Sequence, residues 1–200
     1  MIEEHRVRPL VKEDCRQASK IRFEAQEWGF LSSMGVEFYS KILEGTSESK
    51  WGFGIVCLDG EEKILGFVYG ATDLHKYYRD ILFRKGIRLA CMAFMELLKQ
   101  PHLIWGLLKY FTYPERIPYK NIKAEWLTMV VGKNYRNKGI AKKLTRALID
   151  EYRRRGVTQF RSTVSSNNKI TCMIHDKFKF QFIGTFKLMG ERINIYRYNV

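Results

Sequence analysis

Ala124-Glu125-Trp126-Leu127-Thr128-Met129-Val130-Val131-Gly132-Lys133-Asn134-Tyr135-Arg136-Asn137-Lys138-Gly139-Ile140-Ala141 carries more structural information than any other part of the 200-residue chain. Residues 124–131 are almost wholly apolar and read as a buried strand. Residues 132–138 hold glycine, asparagine and cations, the composition of a turn. From Gly139 to about Arg155 the apolar positions Ile140, Ala141, Leu144, Leu148, Ile149 and Tyr152 recur at helical spacing, and Gly156 stands where a helix ends. A strand thus runs through a short cationic loop straight into a helix. The unpaired N–H groups of that helix's first turn, with the positive end of its dipole, make a site for a phosphate or pyrophosphate. Gly139 lets the backbone approach such a group, and Lys133, Arg136, Lys138, Lys142 and Lys143 add charge around it. The same features also describe an ordinary strand-turn-helix corner with a solvated basic face.

Upstream, the pattern predicts a short strand at 7–10, helices over 12–26 and 35–43, and two strands at 51–58 and 64–71. The last two flank Asp59-Gly60, a hairpin signal because such a pair tolerates positive φ. Residues 75–120 lack strand character and read as a helical insertion. It has two apolar stripes, Ile87, Ala90, Phe94, Leu97, Leu98 and then Leu103, Ile104, Leu107, Leu108. Nine Lys and Arg against three Asp and Glu give the insertion a charge of +6, interleaved with aromatic residues. Downstream come a strand at 159–164, a short helix at 170–178 and a strand pair at 182–188 and 193–198. The expectation is one α+β domain over 1–200, with a mixed, mostly antiparallel sheet of six to seven strands flanked by helices.

Composition narrows the function. The longest run without Asp, Glu, Lys or Arg is nine residues, far short of a membrane-spanning helix, and the acidic start does not resemble a signal peptide, so a cytoplasmic location is expected. Cys15, Cys57, Cys91 and Cys172 are too widely spaced for a metal clip, and no His pair stands at ligand spacing, so no metal is expected. A net charge of +14 favours anionic partners, whether nucleic acid, an acidic membrane face or a phosphorylated small molecule.

Arg136-Asn137-Lys138-Gly139-Ile140-Ala141 resembles R/Q-x-x-G-x-G/A, the acetyl-CoA pyrophosphate loop of the GNAT superfamily of N-acetyltransferases. Asn168-Lys169-Ile170-Thr171-Cys172-Met173-Ile174-His175-Asp176-Lys177-Phe178-Lys179-Phe180 is similar to the family's second motif, with Thr171 in place of Ala, His175 in place of Tyr and Lys179 in place of Gly. The order of elements agrees outside the insertion. The resemblance implies a GNAT-like fold and transfer of an acetyl group from acetyl-CoA to a primary amine by direct attack in a ternary complex. It places Glu125 as general base, and strand alternation puts Glu125 on the face of Leu127, Met129 and Val131. It makes the Met129 N–H the group that polarises the acetyl carbonyl. Met129, Val130, Val131 and Asn168 would hold pantetheine, and residues Arg136, Asn137, Lys138, Gly139, Ile140 and Ala141 the pyrophosphate. His175 becomes the candidate acid for the departing thiolate.

Each assignment has a structural alternative: a salt-bridged carboxylate for Glu125, a helix histidine satisfied locally for His175, a turn asparagine for Asn168. Cys172 has no base beside it and reads as a packing thiol. The insertion stands where family members place acceptor-binding elements. Its rings and cations suit an amino sugar or a phosphorylated, nucleotide-linked one. Alternatively its apolar stripes cover the sheet with the cations solvated, or the helical pair lies on an anionic membrane close to a lipid-linked acceptor. Protein N-terminal or lysine acetylation is the near alternative, and a basic nucleic-acid-binding module without catalysis the distant one, since no such motif is present. A homodimer is compatible with the sequence.

Overall fold

The computed structural model describes residues 5–25, 30–188 and 190–200. In chain order the elements are β1 (Arg6–Pro9), α1 (Cys15–Ala25), α2 (Phe30–Ser33), α3 (Gly35–Glu48), β2 (Gly52–Leu58), β3 (Ile64–Ala71), α4 (Leu74–Lys99), α5 (Leu103–Phe111), α6 (Tyr113–Arg116), β4 (Ala124–Val131), α7 (Ile140–Arg154), β5 (Gln159–Ser165), α8 (Lys169–Lys177), β6 (Gln181–Leu188) and β7 (Glu191–Asn199). The strands form one seven-stranded sheet in the order β1-β2-β3-β4-β5-β7-β6. Every pairing is antiparallel except β4 with β5, and that parallel pair is joined by the crossover helix α7. The expected α+β fold and helical insertion are therefore present. The helix expected over 12–26 opens with a 3-10 turn, Lys12–Asp14, and its last residue, Gln26, lies outside the described residues.

Helices cover both faces of the sheet, which is why β2 and β3 are buried along their whole length instead of alternating. On one face α1, α3 and α4 bury Phe38, Tyr39, Ile42 and Tyr77 against Val56, Phe67 and Tyr69. On the other, Ile140, Leu144, Leu148 and Tyr152 of α7 pack on Ile55, Val68, Trp126 and Phe160. Tyr152 stacks on Phe160 with ring centroids 4.2 Å apart. Its hydroxyl comes so close to Gly70 that a Cβ there would lie 2.3 Å from it, so β3 admits only glycine at that point. The β2–β3 turn forms as expected, but the positive φ falls on Glu62 (61°). Asp59 Oδ1 organises that turn by accepting from the N–H groups of Glu61 and Lys63.

The insertion packs differently from its expected register. Helix α4 buries Leu74, Tyr77, Tyr78, Ile81, Lys85, Leu89 and Ala93. Ile87, Phe94 and Leu98, which the alternative of a sheet-covering stripe would bury, are exposed. Helix α4 is apolar on two opposite faces. The inner one is chosen because its tyrosines extend the core of α3, while Lys85 is held by Glu48 at 2.9 Å and Glu44 at 3.6 Å.

Candidate active site

Strands β4 and β5 form a fork. They pair only through Ala124↔Phe160, Glu125↔Arg161 and Trp126↔Ser162. Beyond those residues they part, although β4 stays paired with β3 to Val131 and β5 with β7 to Ser165. The fork-facing edge of β4 from Leu127 onward therefore has no strand across from it. Gly132 N–H donates to Leu65 O on β3 at 2.9 Å. Backbone groups alternate sides along a strand, so the amides of Val131 and Met129 point into the fork.

A bulge accompanies the split. The β3–β4 register steps from Tyr69↔Thr128 to Gly70↔Trp126, leaving Leu127 as an extra residue. This overturns the expected placement of Glu125 on the face of Met129 and Val131. Ala124, Trp126, Met129 and Val131 all belong to the α7 side, whereas Leu127 and Val130 belong to the other. Glu125, between Ala124 and Trp126, points to that second side and meets the insertion.

Glu125 is fully buried. Its Oε2 accepts from Arg161 Nε at 2.9 Å, and Arg161 Nη1 donates to the carbonyls of Pro118 (3.3 Å) and Tyr119 (3.1 Å). Its Oε1 accepts from the Tyr113 hydroxyl at 2.5 Å and the Thr163 hydroxyl at 3.1 Å. Tyr113 and Thr163 oxygens are themselves 2.5 Å apart. Burial, and then the charge and hydrogen bond of Glu125, push the Tyr113 phenol well above its ordinary range. Tyr113 and Thr163, both half-buried, are hydroxyls that touch this sealed carboxylate.

His175 does not fit the expected acid role. It is fully buried, stacked between Trp126 (5.1 Å between centroids) and Tyr196 (4.6 Å), with Phe180 edge-on. Its Nδ1 lies 2.7 Å from the carbonyl of Thr171 and must be the donor, since a carbonyl only accepts. Its Nε2 is buried without a partner. Burial lowers its pKa, which favours a neutral ring carrying its one proton on Nδ1. Such a ring has no Nε2 proton to give. Asn168 also departs from expectation: it caps α8, Oδ1 accepting from Thr171 N at 3.1 Å. Its carbonyl oxygen is committed to the helix, and a pantetheine contact falls to its NH2 group.

The loop before α7 has the expected form. Gly139 is the N-cap with φ 79° and no side-chain cap, so the first-turn N–H groups of Ile140, Ala141 and Lys142 lack the usual partner. A Cβ on Gly139 would meet nothing within 4 Å, so its value is the left-handed conformation and not the space alone. Asn137, at φ 64°, makes the preceding reversal. Arg136 donates to the carbonyl of Ala25 at 3.5 Å, tying the loop to the end of α1.

Sequence reasoning missed Arg161, Thr163 and Tyr113. The first two had a signal. They lie two apart on one face of a strand running parallel to that of Glu125, and Arg161 is the one charged residue of Gln159-Phe160-Arg161-Ser162-Thr163-Val164-Ser165, which asks for a carboxylate. Tyr113 had none, since its contact depends on how the insertion folds back.

A fork with free strand amides, an uncapped glycine-led helix start and a buried carboxylate behind the split is the layout of an acetyltransferase. Residues 17–180 match the Acetyltransferase (GNAT) family model, and the chain belongs to that family. Similar solved structures include an N-acetyltransferase from Staphylococcus aureus Mu50, 16% identical, with a TM-score of 0.65 and 98% of each chain covered. The ribosomal-protein-S18-alanine N-acetyltransferase of Escherichia coli is 12% identical with a TM-score of 0.63, covering 98% of this chain and 94% of that one. Arabidopsis thaliana NAA60 in complex with acetyl-CoA is 15% identical with a TM-score of 0.61, covering 98% of this chain and 99% of that one. At these identities the likeness establishes the fold. No curated protein matches the sequence.

Proposed function

We propose that the chain moves an acetyl group from acetyl-CoA to a primary amine by direct attack in a ternary complex. The observation that carries this is the β4–β5 fork, with the Met129 and Val131 amides opening into it ahead of the uncapped start of α7. The residues present fit the co-substrate. Arg136, Asn137, Lys138, Gly139, Ile140 and Ala141 would hold its pyrophosphate, and Val130, Val131 and the Asn168 NH2 its pantetheine arm. Bound there, acetyl-CoA supplies an activated acyl thioester. The Met129 N–H is a fixed dipole for the negative charge that develops on the acyl oxygen as the amine adds.

Glu125 is the base, acting through a relay because it is sealed from the fork. The amine gives its proton to Thr163 Oγ1, the Thr163 proton passes to Tyr113 Oη, and the Tyr113 proton passes to Glu125 Oε1. The C–N bond forms, the C–S bond breaks, and the thiolate takes its proton from water, which the half-buried fork admits. Arg161 pairs with Glu125 Oε2 at 2.9 Å and so leaves Oε1 as the oxygen that faces the relay.

The acceptor in this reading is a small amine. Residues 113–119 lie across the front of the fork, Tyr113 bonded to β4 and β5 and the Tyr119 hydroxyl to Ile183 O on β6 at 2.5 Å, which narrows the approach. Fewer of the insertion's rings are available to stack on a nucleotide: Tyr77 and Tyr78 are buried and Tyr110 packs in the same core, which leaves Phe83 and Trp105 exposed. An unphosphorylated amino sugar or simpler amine therefore ranks above a nucleotide-linked one.

The test is thiol release from acetyl-CoA against amines, amino sugars and amino-terminal peptides, beside acetyl-CoA affinity by calorimetry. Release with a small amine, lost in Glu125→Gln at unchanged affinity, is expected. Release only with peptides would transfer the acceptor to protein, and no measurable acetyl-CoA binding would end the reading.

A further inference from the structure

Helix α4 carries a second apolar stripe that its packing leaves uncovered. Phe83, Ile87, Cys91, Phe94 and Leu98 follow one another at intervals of four, four, three and four residues, a single helix face about 22 Å long at 1.5 Å per residue. That face lies opposite Tyr78, Ile81, Leu89 and Ala93, which are buried. Phe83 is 90% exposed and Ile87 84%, and on α5 Trp105 is 65% exposed. Phe83 and Ile87 thus stand almost free in water, where exposed apolar patches on a monomer are normally small.

We propose that this ridge docks the protein on an anionic membrane surface, with Phe83, Ile87, Phe94 and Leu98 entering the boundary between headgroups and acyl chains. Three observations favour that occupant. The stripe is a single row of exposed side chains on one helix, and a fluid acyl phase closes around protruding side chains where a protein partner would need a matching groove. Exposed Arg88 stands beside it with Arg84 and Lys99, which are paired on the helix surface with Asp80 (3.0 Å) and Glu96 (2.8 Å), and residues 75–120 carry nine Lys and Arg against three Asp and Glu, so the surroundings keep a net positive charge that attracts acidic headgroups. A symmetric dimer through the same face would set these cations against their own copies. Among the described residues no helix is long and apolar enough to cross a membrane, so the contact is peripheral. The proposal is independent of the acceptor and of the catalytic residues.

The experiment is co-sedimentation of the full chain with phosphatidylcholine vesicles, with and without phosphatidylglycerol, for the wild type and Phe83→Asp/Ile87→Asp. The wild type should pellet with the acidic vesicles, about tenfold less with phosphatidylcholine alone, and less as salt rises. The double variant should lose about tenfold or more in vesicle affinity while keeping its circular dichroism and acetyl-CoA affinity, because neither side chain supports the core. Wild-type protein that stays in solution, or a double variant that pellets equally, overturns the proposal. So does a concentration-dependent dimer that the double variant dissolves without any vesicle uptake, which would assign the ridge to self-association.

Discussion

Tyr113→Phe removes a single hydroxyl from the fork and leaves the ring that packs in the insertion. The lost group donates to Glu125 Oε1 at 2.5 Å and lies 2.5 Å from Thr163 Oγ1. A hydrogen bond to a charged group contributes roughly 1.5–3 kcal/mol. Thr163, already 3.1 Å from Oε1, can turn its hydroxyl to the carboxylate, so the net cost to stability should be at the low end, about 1.5 kcal/mol, or a few degrees in Tm. The effect on turnover should be larger, because the two 2.5 Å steps through Tyr113 are replaced by one direct Thr163-to-Glu125 transfer across 3.1 Å. General-base catalysis is typically worth about 100- to 10,000-fold, and a drop in kcat of about 100-fold is expected at neutral pH. Affinity for acetyl-CoA should not change, since the Tyr113 hydroxyl bonds to Glu125 and Thr163 and not to the loop that opens α7. The assay is initial-rate thiol release at saturating acetyl-CoA, with cofactor affinity and Tm measured on the same preparation. Wild-type kcat in a folded Tyr113→Phe would refute the relay, and a parallel loss of cofactor affinity would show that Tyr113 shapes the fork instead of passing protons.

His175 is held neutral by burial, which sets its folded pKa below the unfolded value of about 6.5. Its contribution is therefore intact above about 6.5 and is lost as pH falls from there toward the folded value. His175→Phe should flatten the decline of Tm on acidification and leave thiol release unchanged; slowed release at equal acetyl-CoA affinity would restore the acid role. At Gly139 the φ of 79°, in open space where an added Cβ would touch nothing, predicts a conformational penalty of about 1–2 kcal/mol for Gly139→Val, and a smaller one for Gly139→Asn, which tolerates the left-handed region. Calorimetry should rank acetyl-CoA affinity Gly139, then Asn, then Val; equal affinities would show that the loop does not form the cradle.

The strand, loop and helix of 124–154 were legible because each is written locally: an apolar run, a cluster of turn formers and an amphipathic period. The fork could be expected only through the family resemblance, because strand separation is set by neighbours that no local window contains. The face of Glu125 was misplaced for a related reason, as strict alternation holds only until an extra residue enters, and Leu127 looks like any other strand leucine. His175 and Asn168 sat at the expected positions in the chain, yet an aromatic stack and a helix cap claimed their polar atoms. The outer stripe of α4 was visible as a period, but a helix with two apolar faces does not say which one turns inward. That choice followed from Tyr77 and Tyr78 joining the core and Lys85 finding Glu44 and Glu48.

The bulge at Leu127 connects these points and can be tested on its own. A bulge adds local twist and bends the strand that carries it. In β4 it falls at the first position beyond the last β5 pair, Trp126↔Ser162, so the bend and the parting of the strands coincide. Deleting Leu127 would bring Thr128 directly after Trp126. Regular alternation would then run through the strand, with Trp126, Met129 and Val131 still toward α7 and Glu125 and Val130 still toward the insertion. No core side chain changes sides, so the deletion variant should fold with a modestly lowered Tm. What it removes is the bend. A straightened β4 can continue its ladder with β5, and the Met129 and Val131 amides would then be taken by strand carbonyls. The expected result is a folded protein whose acetyl-CoA affinity falls about tenfold or more, since each tenfold step corresponds to about 1.4 kcal/mol and more than one fork contact is at stake. A folded deletion variant that binds acetyl-CoA like the wild type would show that the fork is held open by its flanking elements, and that the extra residue is incidental to it.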